Sequence, residues 1–465
     1  MKKQKTPVRL DGWLTKNLSG NVFTWREIAR MTGPYILDNM SIMLIGMLIT
    51  ALISKNGETS IAAISLAGPI VSMLSCVFSA VGAGSSVVVA QCCGAKDDVL
   101  LKRSIGQIIW LMALLAVIAC FPLVLFPKEL LLLLYPKAEA VVLQKAEIYL
   151  SGSAISIMAF SLYYAIFSIL QGMGESKRCL ALSVIINVAY FVFSILCLNI
   201  LNLDVKGSIL ALISARVLGA LCAVVLLFFW RPPIALKLRN IFSYDGSLMH
   251  STIKISLPLG MEQIFNSCGA IVAGVYMVNL GTEAIAANAT ASSLLGGLTA
   301  AAVAAGSLSV TVVGRCIGAK EKEEAYHYGK CTMVISLGLL ILTGFVFYPA
   351  LPVLLKQYNP TPAISAMTTQ VLLYSIPFLL LFWPASYTLP FTLRAAGDSA
   401  FPSTASLIIM WIVNIGLGYV LAIPCGLSLL GVWIAQWVSW IARSVVFYAR
   451  FRGRNWLQKE VIKSK

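Results

Sequence analysis

Long uncharged stretches constrain this chain more than any other feature. Twelve of them, near residues 31–53, 61–90, 104–126, 148–171, 180–203, 207–229, 255–280, 285–313, 331–355, 366–393, 401–423 and 429–449, are separated by clusters of charge and turn residues. A helix of about 20 apolar residues crosses the hydrocarbon of a bilayer, where only helices and closed barrels satisfy their own backbone hydrogen bonds. Charged residues make up 12% of the 465, against about a quarter in soluble domains. The reading is an all-α membrane protein with twelve transmembrane helices, its partner the lipid bilayer. The run 61–90 exceeds one span and is expected to tilt or to project beyond the bilayer.

Lysine and arginine set the orientation, because short cytoplasmic loops carry the excess. With the N-terminus inside, 27 of the 35 fall in inner segments, six in outer loops (Lys55, Lys128, Lys137, Lys145, Lys206, Lys356), and Arg216 and Arg443 within spans. Both termini are therefore expected in the cytoplasm of a multi-pass cell-membrane protein. The same distribution accounts for the net charge of +16 and excludes nucleic acid as a partner. The first residues are basic and polar, without the apolar core of a cleavable signal, so the first span is expected to serve as its own membrane signal. The 11 cysteines show no metal or redox spacing and read as small buried apolar residues.

Shifted by 224 residues, the chain lies on itself. "GPYILDNM" meets "LPLGMEQI", pairing Pro34 with Pro258 and Asp38 with Glu262. "SIAAISLAG" meets "AIAANATAS". "VVAQCCGAKDD" meets "VVGRCIGAKEK", pairing Cys92 with Cys316 and Gly94-Ala95-Lys96 with Gly318-Ala319-Lys320. Gly207 meets Gly431, and Gly174 meets Gly397 at an offset of 223. Each half holds six spans, an even number, so both halves enter the membrane in the same direction. That is a parallel repeat about an axis along the membrane normal. The expected architecture is two parallel-repeat six-helix bundles around a central cleft: an N-terminal tail (1–24), a first bundle (25–230), a cytoplasmic connector (231–252), a second bundle (253–450) and a basic tail (451–465).

Of the 19 acidic residues, only Asp38 and Glu262 lie inside apolar segments, and they are repeat mates. Each follows a proline by four residues, so both helices are expected to kink there. Tyr35 and Ser41 share the helical face of Asp38, and Asn266 that of Glu262. An acid inside a membrane is by default a site on an ion or proton pathway. It is neutralised by a proton, by Na⁺ or by a cationic substrate, and all three suit a transporter.

These features together resemble the multidrug and toxic compound extrusion (MATE) family. They are twelve spans in two halves, Pro-x-x-x-acid on the first and seventh spans, and "GAK" plus an acid after the second and eighth. Gly-acid-Ser also opens the fifth and eleventh, at Gly174-Glu175-Ser176 and Gly397-Asp398-Ser399. The resemblance runs from about Trp25 to Arg450. It implies export of small organic compounds, often cationic and aromatic, in exchange for inward H⁺ or Na⁺, with no cofactor and no obligate protein partner. Asp38 matches the family's first-span coupling acid, and Glu262 the seventh-span acid of one branch. That branch also carries an acid on the tenth span, and another branch carries one on the fifth. Here neither span has an acid, and Asn187 stands in the fifth, so the coupling ion stays open.

The tenth span is rich in proline and aromatics. Pro377, Pro384 and Pro390 predict a bent helix, and Trp383 and Tyr387, four apart, are candidates to present an aromatic face to a flat cationic substrate. Asn288 and Asn414 are further candidate cavity groups. No metal is expected beyond Na⁺ at Asp38 or Glu262, and His250 and His327 fall in connectors. The alternative reading, a lipid-linked oligosaccharide or other lipid flippase of a related two-bundle fold, calls for a cavity lined with cations. Only Arg216 and Arg443 are basic within spans. An enzyme is not expected: there is no HExxH, no GxSxG and no phosphate-cradling glycine loop.

Overall fold

The computed structural model describes residue 15 and residues 18–53, 58–136, 139–201, 203–229, 245–358 and 360–459. Residues 1–14 and 16–17 of the expected tail, 231–244 of the connector, 460–465 of the basic tail, and Lys55 and Lys137 lie outside the described residues. Among the described residues every regular element is a helix. In chain order they are α1 (Trp25–Ile53), α2 (Glu58–Ala95), α3 (Asp98–Leu125), α4 (Ala140–Gly172), α5 (Ser176–Ile200) and α6 (Asp204–Phe229). Then come α7 (Gly246–Leu280), α8 (Thr282–Gly318), α9 (Lys322–Lys356), α10 (Pro362–Leu381, then Trp383–Ala395), α11 (Ala400–Ala422) and α12 (Ser428–Arg452). A two-turn helix, Pro127–Leu134, follows α3.

Eleven helices among the described residues are long and apolar enough to cross a membrane, and α1 holds the remaining expected span. Several helices begin before the apolar run, because a helix need not end where hydrocarbon does. α3 starts at Asp98, where the Asp97 carboxylate accepts from the amides of Val99 and Leu100 at 3.0 and 2.9 Å, satisfying two donors that the first turn leaves unpaired. Side chains such as Leu133, Phe229 and Phe345 are more than three-quarters exposed. Such apolar outward faces suit lipid rather than water.

α1 and α7 each run helically through their proline, Pro34 and Pro258. α10 differs from the expected single helix. It breaks at Phe382 (φ −114°, ψ −31°), because Pro384 has no amide to give to the carbonyl four residues back and its ring crowds that carbonyl. Pro377 and Pro390 remain inside helical pieces.

The described residues group into two compact units. One holds residues up to Ile36, Ala90–Lys96 and those from Cys268 on; the other holds Leu37–Val89 and Asp97–Ser267. In the first, α8 is the interior helix, with 78% of its most apolar stretch buried. Its run "ASSLLGGLTAAAVAAGSLS" lets neighbouring backbones approach closely. In the second, α4 takes that place, with 61% buried.

The repeat is written in the backbone as well. Left-handed residues recur as mates: Lys96 (φ 54°) and Lys320 (φ 62°), Asp204 (φ 48°) and Ser428 (φ 50°), Gly174 (φ 71°) and Gly397 (φ 95°). Close approaches recur too. A Cβ added at Gly207 would lie 3.0 Å from the Cys197 carbonyl oxygen, and one at Gly431 would lie 2.6 Å from the carbonyl carbon of Leu421, the mate of Cys197. At the ends of α2 and α8 the contact is reciprocal. A Cβ at Gly94 would run into the Arg315 carbonyl oxygen, and one at its mate Gly318 into the carbonyl oxygen of Gln91, the mate of Arg315.

Candidate functional site

Asp38 sits in mid-helix on α1 and is 5% exposed. Its surroundings come from three other helices of the same unit. From α5, Ser183 hydrogen-bonds the carboxylate. The Ser183 hydroxyl in turn accepts from Asn187 Nδ2 at 3.3 Å, and the same amide donates to the Ser183 carbonyl at 2.8 Å. The order amide, hydroxyl, carboxylate follows from helical spacing, since residues four apart lie on one face. From α4, Tyr163 and Tyr164 approach close enough to feel the charge, and Tyr163 also bonds Ser183. Tyr164 pairs with Ser79 of α2, and Gly82 of α2 leaves room for its ring.

One carboxylate oxygen is left over. Oδ1 of Asp38 is buried and makes no hydrogen bond among the described residues. Buried polar atoms are nearly always paired, so an orphan oxygen asks for an explanation. An anionic oxygen facing no donor, beside hydroxyls and an amide, is chemically fitted to receive a proton or a hard cation such as Na⁺. No cluster of three or more His, Cys, Asp or Glu side chains able to hold a metal occurs among the described residues.

The other candidates fall as follows. Ser41 gives its hydroxyl to the Asp38 backbone carbonyl at 2.9 Å, supporting the helix rather than the carboxylate. Tyr35 belongs to the other unit, is 1% exposed, and its hydroxyl meets Thr311 Oγ1 at 3.4 Å. Glu262 and Asn266 are half-buried on α7, so the two acids differ in setting although they are mates in sequence. Asn288 accepts from the Trp433 indole at 3.1 Å, and Asn414 donates to Gln436 at 2.6 Å. Trp383 and Tyr387 stack on each other, with centroids 4.6 Å apart and planes 6° from parallel. Each ring therefore covers one face of the other, and Trp383 is buried.

Ser183, Tyr163 and Tyr164 were not singled out in the sequence. A signal existed for each: Ser183 precedes Asn187 by one helical turn, and "YY" interrupts an otherwise apolar span.

The comparisons with known proteins bear on the family and the fold. A family model described as MatE matches residues 34–196 and again 258–420, windows that begin at Pro34 and Pro258 and repeat the offset of 224. The chain is 23% identical to the uncharacterized transporter YisQ of Bacillus subtilis, covering 92% of this chain and 94% of that one. It is 24% identical to the probable multidrug resistance protein YoeA of the same organism, over 94% and 95%. Its fold matches the outward-facing structure of a multidrug resistance MATE family transporter of the MOP superfamily with a TM-score of 0.85, at 18% identity, over 95% of this chain and 97% of that one.

Proposed function

This chain belongs to the MatE family of membrane transporters, and we propose that it exports small organic cations, aromatic ones foremost, in exchange for inward H⁺ or Na⁺. The observation that carries this reading is the buried Asp38 carboxylate, held on one side by Ser183 and Asn187 and with Oδ1 lacking a donor among the described residues. Cargo binds from the cytoplasmic side while that carboxylate is free. On the outer side a proton or Na⁺ neutralises it and weakens the hold on cargo. The ion-loaded, cargo-free form then returns. The cycle works because the ion binds the two states with different affinity. Glu262, half-buried, is the secondary coupling candidate. The setting is the cell membrane, with both termini cytoplasmic.

The test is efflux of a fluorescent organic cation at matched expression, for wild type, Asp38→Asn and Glu262→Gln. Asp38→Asn is expected to reduce export to background and Glu262→Gln to reduce it less. Imposed H⁺ and Na⁺ gradients in vesicles then identify the ion. Full activity in Asp38→Asn would remove the carboxylate from the mechanism. Failure of the wild type to move any organic cation, together with translocation of a lipid-linked oligosaccharide, would favour a flippase instead.

A further inference from the structure

α6 carries one charge in its interior. Arg216 is the thirteenth residue of Asp204–Phe229, so about 18 Å of helix separates it from either end. A guanidinium remains protonated in any protein setting, and intramembrane charges normally find an opposite partner. Arg216 has none of that kind: the ion pairs among the described residues give it no carboxylate.

Its neighbours are neutral, and they come from α3 (Cys120), α4 and α5. One guanidinium nitrogen donates to Ser156 Oγ at 2.7 Å, and Ser156 passes its own proton to the Ser153 carbonyl at 2.6 Å. The guanidinium lies over the Phe160 ring at 4.6 Å. Tyr149 and Tyr190 lie within electrostatic range. Arginine offers five N–H donors in a fixed fork, and the bond to Ser156 uses one. The side chain is half-buried rather than sealed. A fixed positive charge, unused donors, two phenols and a partly open face are together the makings of a site for an anion.

The site is separate from that of Asp38. Ser156 and Tyr163, which mark the two places on α4, are seven residues apart, or about 10 Å of helix. Asp38 therefore does not neutralise Arg216 by contact.

We propose that Arg216, with Ser156, Tyr149 and Tyr190, forms an anion subsite in the unit that holds Asp38, taking one small monovalent anion. The anion is either a free halide or the carboxylate of a cargo molecule. The halide source stands without the transport reading, whereas the cargo source rests on it. A single guanidinium supplies a single charge, and the phenols donate to whatever anion it holds.

The test is thermal unfolding of the purified full chain in detergent micelles, in potassium chloride, bromide or isethionate, a bulky sulfonate without a carboxylate, at equal ionic strength. Chloride and bromide are expected to raise the midpoint over isethionate by about 2 °C or more, in wild type and in Asp38→Asn alike. Arg216→Gln is expected to abolish the difference. A second arm compares an aromatic amino acid with its methyl ester. If the free acid alone stabilises and halide competes with it, the site receives cargo carboxylate; if only halide acts, the source is the free ion. Should Arg216→Gln not fold, Tyr190→Phe and the wild-type comparison decide, with a weaker halide response expected from Tyr190→Phe. Equal midpoints in all three salts with acid and ester alike, or an anion response unchanged by both substitutions, would overturn the proposal. Since Asp38→Asn is expected to keep the anion response while losing export, failure of this site and failure of the coupling mechanism give different results.

Discussion

Asp38 does its work through residues that hold it. Ser183 supplies a hydroxyl to the carboxylate and takes an amide proton from Asn187, and a hydrogen bond to a charged group is worth about 1.5–3 kcal/mol. Ser183→Ala is therefore expected to slow initial dye efflux about tenfold at matched expression, with Ser183→Thr close to wild type. An equal rate in Ser183→Ala would show that the hydroxyl only packs. A second buried acid has a different task. Asp398 is fully buried at its side chain and held by Arg450 at 2.9 Å and Lys459 at 2.8 Å. Asp398→Asn strands two cations, and because Lys459 is half exposed the cost is put at about 2 kcal/mol. It should appear as a lower unfolding midpoint, with the efflux rate per folded molecule unchanged. Asp38 was legible in the sequence because an acid amid apolar residues is rare; Ser183 was not, because serine is common in membrane helices. The sequence pairs Asp38 with Glu262 as equals, yet only Asp38 is fully buried. A repeat says which residue type stands at a position, not what surrounds it.

Among elements, the twelve helices were legible, since hydrocarbon demands long apolar runs whatever the tertiary arrangement, but not all their starts: α4, α7 and α9 begin eight or nine residues before the apolar runs. The break in α10 was legible in kind, from three prolines, but not in place. All three remove an amide, and only packing decides which of them ends a helix. The crossing of α2 and α8 was legible as a matched "GAK" pair without its meaning. In the structure both glycines lie where a methyl group would meet a backbone oxygen. Gly94→Ala and Gly318→Ala should each destabilise by about 1–3 kcal/mol, as overpacking does. The double variant should cost less than the sum, because one separation of the helices relieves both clashes. Strict additivity of the unfolding midpoints would mean that the two contacts yield independently.

For the whole molecule, charge is the guide to orientation. The segments expected on the inner side carry 27 of 35 lysines and arginines, so a green fluorescent protein fused to either terminus should fluoresce, and an alkaline phosphatase fused there should be silent. An active phosphatase at either end would reverse the assignment. The grouping into units was not legible. It cuts α1 after Ile36, α2 after Val89 and α7 after Ser267, and such cuts follow from contacts distant in sequence that no local pattern records.

The reciprocal contact at the ends of α2 and α8 has the form that two copies of one helix make across a two-fold axis, where residue i meets j and j meets i. In a dimer of identical subunits one codon would set both sides of such a contact, and every change would strike twice. In this single chain Gly94 and Gly318 are set by separate codons. Either side of the crossing can be altered while the other stands, so a symmetric lock has become one that inheritance can make lopsided.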